Sequence, residues 1–329
     1  MLSPRPFGRT GRSVIPVGFG AWAIGGTWGE VSEADAMAAL NAALDAGQDF
    51  IDTADVYGDG RSERIIAAVL ATRPGPRPFV ATKAGRRITP HLAETYTRAT
   101  LEAHIDRSRA NLQMDRLDLV QLHCPPTPVF ADDRVFDAMA EIQSSGKIAG
   151  FGVSVEKIDE AMAAIRHPGV LSVQIIYNLF RQRPAEAFLS EAAARQVAVI
   201  ARVPLASGLL TGKMTAASTF AADDHRSFNR NGEAFDKGET FSGVPYDVAL
   251  GAVDALRALV PEGATMAAWA LRWILMADAV SVVIPGAKSA AQARANTAAL
   301  EMPALSDAVM QAAAEVYQRR IAPHVHGLW

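Results

Sequence analysis

The sequence contains one cysteine, Cys124, and this scarcity excludes several kinds of site. A single cysteine cannot form an internal disulfide, and it cannot supply the thiolates of a metal cluster. This usage is typical of proteins from a reducing compartment. Residues 1–17 are polar and rich in turn residues, so no signal peptide is predicted. We therefore expect a cytoplasmic protein.

Excess charge of one sign and long apolar runs are missing as well. Lys and Arg total 32 against 35 Asp and Glu, which leaves a formal net charge of -3. That balance offers no electrostatic footprint for nucleic acid or anionic lipid, so we expect neither as a partner. No apolar run reaches the roughly 18 residues that a membrane span requires. The composition is that of a soluble globular protein.

Short apolar runs alternate with helical patterns along the chain. Eight runs are predicted to form strands, at residues 17–19, 50–51, 79–82, 117–122, 148–153, 172–175, 197–201 and 280–284. Helical patterns lie at residues 32–46, 62–71, 90–112, 133–144, 155–165, 185–195, 265–276 and 306–320. Strict alternation of this kind predicts a parallel sheet. Eight units within 329 residues predict a closed (β/α)8 barrel of the TIM type, formed as a single domain over residues 1–329.

Three segments lie outside that alternation. Turn residues at 7–12 predict an N-terminal β-hairpin. Residues 211–246, after the seventh predicted strand, are rich in Gly, Ser, Asp and Asn and lack periodicity, which is typical of a lid or binding loop. Beyond the last helical pattern, we expect the C-terminal tail to fold back over the barrel.

Polar residues mark the carboxyl ends of three neighbouring predicted strands. Asp52 follows strand two, with Tyr57 five residues later, and Lys83 and His123 follow strands three and four. The carboxyl ends of barrel strands converge on one mouth, where chemistry is usually found. A lysine ammonium beside a phenol favours phenolate and lowers the phenol pKa from about 10, while a carboxylate holds the lysine in place. A neutral imidazole can orient and polarise a carbonyl oxygen.

Each of these residues also has a structural interpretation when it is considered alone. Asp52 can cap a loop, and Tyr57 can pack against the core. Lys83 can belong to a salt bridge, and His123 can be a satisfied histidine at the barrel rim. Their joint placement on consecutive strands favours one catalytic cluster over four separate structural roles.

Residues 52–58 (Asp-Thr-Ala-Asp-Val-Tyr-Gly), followed by residues 60–63 (Gly-Arg-Ser-Glu), resemble the first signature of the aldo-keto reductases. The wider resemblance runs from residue 7 to about residue 300 and is to bacterial members related to the potassium-channel β subunits. It implies that the catalytic tetrad of the family is present as Asp52, Tyr57, Lys83 and His123. The implied reaction is hydride transfer between a nicotinamide cofactor and an aldehyde or ketone. Tyr57 would donate the proton, Lys83 and Asp52 would tune the pKa of Tyr57, and His123 would orient the carbonyl.

The sequence contains no Gly-x-Gly-x-x-Gly fingerprint after a strand, so no Rossmann site is predicted. The resemblance implies instead a cofactor extended across the barrel mouth. Ser154 and Gln174 resemble the family's carboxamide-binding pair, although a buried strand amide bonded to backbone explains Gln174 equally well. Residues 203–213 resemble the loop that wraps the pyrophosphate, where glycines permit close approach and Lys213 supplies charge.

Residues 284–288 lead into a predicted helix whose start favours an anion. Lys288 beside that start suits a 2′-phosphate, so we expect NADP (NADPH) in preference to NAD, which remains possible. Arg226 resembles the lid arginine that reaches the cofactor, or it pairs only with the aspartates beside it. The full set predicted to bind the cofactor is Gly20, Ala21, Trp22, Asp52, Ser154, Gln174, Arg202, Pro204, Leu205, Ser207, Gly208, Lys213, Arg226, Ile284, Gly286, Lys288, Gln292 and Asn296.

The sequence departs from the family pattern at two strand ends. Arg202 stands where many members have an aromatic residue that stacks on the nicotinamide, and a guanidinium plane can also stack on a ring. Val155 stands where many members have asparagine. The predicted substrate pocket consists of Trp22, Trp28, Tyr57, His123 and Phe130, with a core role open for each of its Trp and Phe residues.

Three functions are compatible with these residues. The leading hypothesis is an NADP-dependent carbonyl reductase or alcohol dehydrogenase acting on a small-molecule carbonyl or alcohol. The second is a nicotinamide-binding regulatory subunit whose turnover is incidental. The third is a metal-dependent hydrolase or isomerase, which is weakened because the barrel mouth offers no His-x-His or Glu-x-x-His grouping. The identity of the substrate and the oligomeric state are not predicted.

Overall fold

The computed structural model describes residues 2–26 and 28–329, and Met1 and Thr27 lie outside the described residues. The predicted N-terminal hairpin is present: β1 (Arg5–Pro6) pairs antiparallel with β2 (Ser13–Val14). The buried Phe7 ring lies 5.3 Å from that of Phe50 and 5.1 Å from that of Phe79. These two rings begin barrel strands, so the hairpin covers the amino-terminal end of the barrel with apolar side chains.

Eight parallel strands follow one another around a single sheet. They are β3 (Phe19–Gly20), β4 (Phe50–Asp52), β5 (Phe79–Ala84), β6 (Leu119–His123), β7 (Phe151–Ser154), β8 (Val170–Ile176), β9 (Ala198–Arg202) and β10 (Val280–Val283). The backbone amides of Gly18 and Gly20 donate to the carbonyls of Val283 and Pro285 at 2.9 and 3.0 Å, which joins the first strand to the last. The predicted (β/α)8 barrel is therefore confirmed.

The helices lie between the strands and beyond the last of them. They are α1 (Trp22–Gly25), α2 (Glu33–Asp45), α3 (Arg61–Thr72), α4 (Arg98–Leu112), α5 (Asp133–Ser144), α6 (Ile158–Ala164), α7 (Phe188–Ala194), α8 (His225–Phe228), α9 (Tyr246–Arg257), α10 (Met266–Ile274), α11 (Ala290–Thr297), α12 (Asp307–Val316) and α13 (Ala322–Val325). A π-helical turn, Tyr317–Ile321, joins the last two. Within the described ranges, no helix has both the length and the apolar character needed to cross a membrane.

Capping residues decide where several helices begin. The side chains of Ser32 and Asp132 accept backbone N–H groups at the starts of α2 and α5, and α5 has the predicted bounds. The helix predicted from residue 90 is wrong in its first turns. It begins at Arg98 because the hydroxyl of Thr97 caps it, and only a 3₁₀ turn, Ala93–Thr95, precedes it.

The long loop and the tail meet at the barrel mouth. Residues 211–246 contain α8 and two 3₁₀ turns, Lys237–Glu239 and Phe241–Gly243. The Trp329 indole N–H donates to Asp236 Oδ2 at 3.0 Å, and the guanidinium of Arg181 lies 4.0 Å from the centre of the Trp329 ring. The tail therefore folds back onto the loop, as predicted.

Candidate active site

Three neighbouring strands bring the predicted catalytic residues together. Asp52 is the last residue of β4, and His123 is the last residue of β6. Lys83 lies within β5, one residue before its end. The strand ends two residues later than predicted, at Ala84 instead of residue 82, so the prediction that Lys83 follows the strand is wrong. Because β4, β5 and β6 are adjacent, their carboxyl ends carry these side chains to one place.

The ammonium group of Lys83 lies at the centre of this cluster. Its Nζ donates to Asp52 Oδ1 at 2.5 Å, to the Thr53 carbonyl at 2.8 Å and to Tyr57 Oη at 3.3 Å. Both members of the Lys83–Asp52 ion pair are almost fully buried. A buried pair with its remaining donors satisfied holds a fixed geometry, so Tyr57 Oη has a defined charged neighbour.

The protonation states follow from burial and from these contacts. Burial alone would lower the pKa of Lys83, but the Asp52 carboxylate and Tyr57 raise it above its usual value. Burial raises the pKa of Tyr57 by more than Lys83 lowers it, so Tyr57 is a neutral phenol at pH 7. The net lowering of the phenol pKa expected from the sequence is therefore wrong. The phenol is in the form that can donate a proton.

His123 faces Tyr57 and is neutral. The two ring centroids lie 6.0 Å apart with the rings at 87°. Burial, together with the positive charges of Arg86 and Lys83, lowers the pKa of His123 well below its usual value. A neutral imidazole can donate one hydrogen bond to a carbonyl oxygen, as predicted, without a second positive charge beside Lys83.

Two glutamines hold the other oxygen of Asp52. The Nε2 atoms of Gln174 and Gln121 donate to Asp52 Oδ2 at 2.7 and 3.2 Å. Gln174 therefore supports Asp52 in addition to lining the predicted cofactor groove. The sequence analysis did not identify Gln121. Its position two residues before His123 in one strand places both side chains on the same face, which is the signal that could have found it.

A single elongated cavity of about 480 Å³ extends from Tyr57 and His123 toward the start of α11. Every residue of the predicted cofactor set except Ala21 lines it, as do Trp22 and Trp28 of the predicted substrate pocket. Ala21 is buried, and its amide donates to the Asp52 carbonyl. Phe130 does not line the cavity either. Its 3₁₀ turn, Thr127–Ala131, turns the ring into the hydrophobic core, so the substrate-pocket prediction is wrong at this residue.

The cavity also carries positive charge suited to phosphate. Lys213, Arg226 and Lys288 line it. Burial and the nearby guanidinium of Arg226 lower the pKa of Lys288, whose ammonium donates to the Trp28 carbonyl. Arg226 is paired with Asp224 through bonds of 2.9 and 2.6 Å, as the second interpretation predicts, and it also lines the cavity. Ser207 and Gly208 adopt left-handed φ angles of 55° and 97° beside this charge.

Aromatic residues wall the catalytic end of the cavity. The ring of Trp22 stacks on Tyr57 with centroids 6.1 Å apart and meets Trp28 edge-on at 5.4 Å. The long loop contributes His225, 4.3 Å from Trp28, and Phe235, 5.9 Å from Trp22. The first βα loop and the long loop therefore enclose the mouth together, and enclosure strengthens the electrostatic interactions inside it.

Next to this wall lies a group of four ionisable side chains, Arg86, Glu156, Arg202 and Glu239, which we call the charged corner; the Arg86 guanidinium lies 5.8 Å from the centre of the Phe235 ring. Arg202 and Glu239 line the cavity, and only Arg202 was predicted at the site. Arg202 Nη2 donates to the Val155 carbonyl at 2.9 Å, so this guanidinium is held at the strand end where Val155 replaces the asparagine of many family members. The contact between Arg202 and Glu239 joins two segments far apart in the sequence, which explains why the sequence did not indicate it.

These features define an α/β barrel whose strand ends carry an acid, a lysine, a phenol and an imidazole beside a groove lined with positive groups. Residues 16–318 match the model of the aldo/keto reductase family, and the chain belongs to that family. The aldo-keto reductase YhdN of Bacillus subtilis is 32% identical over 292 residues, covering 87% of this chain and 85% of that protein.

Solved structures agree with this assignment. The glycerol dehydrogenase of Gluconobacter oxydans has a TM-score of 0.76 and 29% identity, with 96% of this chain and 94% of that chain covered. An aldo-keto reductase of Klebsiella pneumoniae solved with NADPH has a TM-score of 0.70 and 22% identity, with 98% and 99% covered. The second comparison concerns the fold alone.

Proposed function

We propose that the protein is an NADP(H)-dependent oxidoreductase that interconverts an aldehyde or ketone and the corresponding alcohol. The observation that carries this proposal is the position of the Lys83 ammonium between the Asp52 carboxylate and the Tyr57 hydroxyl, with the neutral His123 ring beside Tyr57. This arrangement supplies a proton and a hydrogen bond at one point, as reduction of a carbonyl requires.

The nicotinamide, when bound, supplies or accepts the hydride. Tyr57 Oη donates the proton to the carbonyl oxygen during reduction, and the Lys83 ammonium stabilises the phenolate that remains. His123 donates a hydrogen bond to the same oxygen and so fixes its position. Ser154 and Gln174 would hold the carboxamide of the cofactor, and Lys213, Arg226 and Lys288 would meet its phosphates. The aromatic wall of Trp22 and Trp28 keeps water from the reacting atoms.

Turnover tests this proposal directly. Purified protein should oxidise NADPH when it is mixed with a panel of short aldehydes and ketones, followed by loss of absorbance at 340 nm, and the alcohol should accumulate in equal amount. A protein that binds NADPH but leaves it intact with every carbonyl would contradict the proposal. That outcome would favour the regulatory-subunit alternative.

Lys288→Met should weaken the binding of NADPH much more than the binding of NADH. Its ammonium is half-buried and has no carboxylate within salt-bridge distance among the described residues, so we propose that it pairs with the 2′-phosphate that NADPH has and NADH lacks. We expect the Kd for NADPH to rise by about 30-fold and the Kd for NADH to change by less than about 3-fold. Fluorescence titration of both cofactors measures this. Lys237→Met is the control, because this lysine of the long loop does not line the cavity. Equal weakening of both cofactors would contradict the assignment.

A further inference from the structure

Glu239 of the charged corner has one oxygen, Oε2, that has no hydrogen-bond donor among residues 2–26 and 28–329. The residue ends the 3₁₀ turn Lys237–Glu239, is 4% exposed and lines the cavity. Its Oε1 accepts from Arg86 Nη2 at 3.0 Å and lies 3.4 Å from Arg202 Nη1. Its Oε2 accepts no hydrogen bond from any residue in the described ranges. This oxygen is not one of the enclosed side-chain atoms that lack a partner, and Glu239 lines the cavity, so Oε2 faces the cavity and is available to a ligand there.

Glu239 is ionised at neutral pH. Burial alone would raise its pKa, but the guanidinium groups of Arg86 and Arg202 hold the pKa below its usual value. An ionised carboxylate can only accept hydrogen bonds. The ligand group that meets Oε2 must therefore be a donor.

The surroundings decide what kind of donor this is. Two guanidinium groups already lie against Glu239, and their charge disfavours an ammonium group at the same place. An anionic group is disfavoured as well, because Arg202 directs its Nη atoms at Glu239 and at the Val155 carbonyl, and its Nε is enclosed by protein. A neutral hydroxyl fits both conditions, since it donates to a carboxylate without adding charge.

We infer that Glu239 accepts a hydrogen bond from a hydroxyl group of the substrate and thereby selects hydroxyaldehydes and polyols over unsubstituted aldehydes and alcohols of the same carbon skeleton. This inference rests on the proposed function, because it concerns the substrate of the same site. Tyr57 and His123 act on the carbonyl that is reduced, or on the alcohol formed from it. Glu239 binds a second group, a hydroxyl, on the same molecule. It is a specificity-determining residue rather than a source of the proton.

Glu239 is held in place before a ligand arrives. Ser207 Oγ donates to its backbone carbonyl at 3.1 Å. Asp236, at the start of the same turn, accepts the Gly238 amide at 2.7 Å and the Trp329 indole N–H at 3.0 Å. The turn is thus fixed from both sides, and a preorganised acceptor discriminates better than one that must be ordered by the ligand.

The test compares glyceraldehyde with propanal, two three-carbon aldehydes that differ in their hydroxyl groups. The measured quantity is the ratio of their kcat/KM values with NADPH, corrected for the hydrated fraction of each aldehyde. We expect the wild type to favour glyceraldehyde by at least about 10-fold. Glu239→Leu should bring the ratio to about one, mainly through the KM for glyceraldehyde. Because the variant is compared with itself on two substrates, changes that the lost charge causes at Tyr57 or His123 cancel.

Glu156→Leu is the matched control. Glu156 lies 3.4 Å from Arg86 but does not line the cavity. The Glu156→Leu variant therefore loses a side chain of the same cluster without losing a contact to the substrate, and its kcat/KM ratio should stay within about 3-fold of wild type. Glu239→Gln, which keeps the shape of the side chain, should give an intermediate ratio and serves if the leucine variant does not fold. An unchanged ratio in the folded Glu239 variants, or a wild type that reduces propanal as well as glyceraldehyde, overturns this inference and leaves the proposed function intact. A wild type that reduces neither aldehyde overturns this inference, and the proposed function is then decided by the wider panel of aldehydes and ketones.

Discussion

Tyr57→Phe should lower kcat for aldehyde reduction by about 10³-fold while leaving the Kd for NADPH within about 2-fold of wild type. The change removes one oxygen, the group that we propose as the proton donor, and it keeps the ring that stacks against Trp22. A phenol is protonated at pH 7 and burial raises the pKa of Tyr57 further, so the wild type has its donor in place. Steady-state rates and a fluorescence titration of each protein measure the two effects.

Tyr177→Phe provides the matched control for that prediction. Tyr177 is a buried tyrosine that packs against Trp273 outside the catalytic cavity. The same loss of a hydroxyl there should leave kcat within about 2-fold of wild type. If Tyr57→Phe retains wild-type turnover, the proton comes from elsewhere and the assigned role of Tyr57 is wrong.

Lys83→Met should damage both catalysis and stability. The loss of the ammonium removes the charge 3.3 Å from Tyr57 Oη, and we expect kcat to fall by about 10³-fold. It also leaves the Asp52 carboxylate buried with only the amides of Gln121 and Gln174 as side-chain donors. An unpaired buried charge of this kind typically costs about 3 to 5 kcal/mol in the free energy of unfolding. Urea denaturation measures the second effect.

The double variant Asp52→Asn/Lys83→Met separates the two consequences. Removing both charges leaves no unpaired member of the Lys83–Asp52 pair, so the free energy of unfolding should recover by about 2 kcal/mol relative to Lys83→Met alone. Activity should not recover, because Tyr57 still lacks its charged neighbour. A double variant that is less stable than either single variant would show that the pair is not the structural unit described here.

The barrel was predictable because its local signals agree with one another. Apolar strand runs recur with capped helices between them, and α5 has its predicted bounds because Asp132 caps an amphipathic pattern. Helix α9 was missed because its signals are weak: Pro245 precedes it without a side-chain cap, and Gly251 interrupts its interior. Its buried face, which includes Leu256, is what stabilises it, and burial is a tertiary property.

Some residues of the candidate site could be predicted from the sequence, and others could not. Asp52, Lys83 and His123 could be found because parallel strands carry successive chain segments to one mouth, so order along the chain translates into proximity. Glu239 and Arg86 could not be found that way, since a contact between residues 153 positions apart depends on how the long loop folds. The pKa of Tyr57 was misjudged for a related reason. The sequence indicates the charged neighbour, but the extent of burial that outweighs it is visible only in the folded chain.

The most direct test of the proposed chemistry follows a deuterium atom from the cofactor. The wild-type protein is mixed with NADPH carrying deuterium at both C4 positions and with an aldehyde that it reduces, and the alcohol is examined by mass spectrometry. Hydride transfer within the barrel predicts one deuterium on the former carbonyl carbon for each NADPH oxidised, and none in the same interval with Tyr57→Phe. NADPH oxidation without deuterium in the alcohol, or equal labelling by both proteins, would contradict the account.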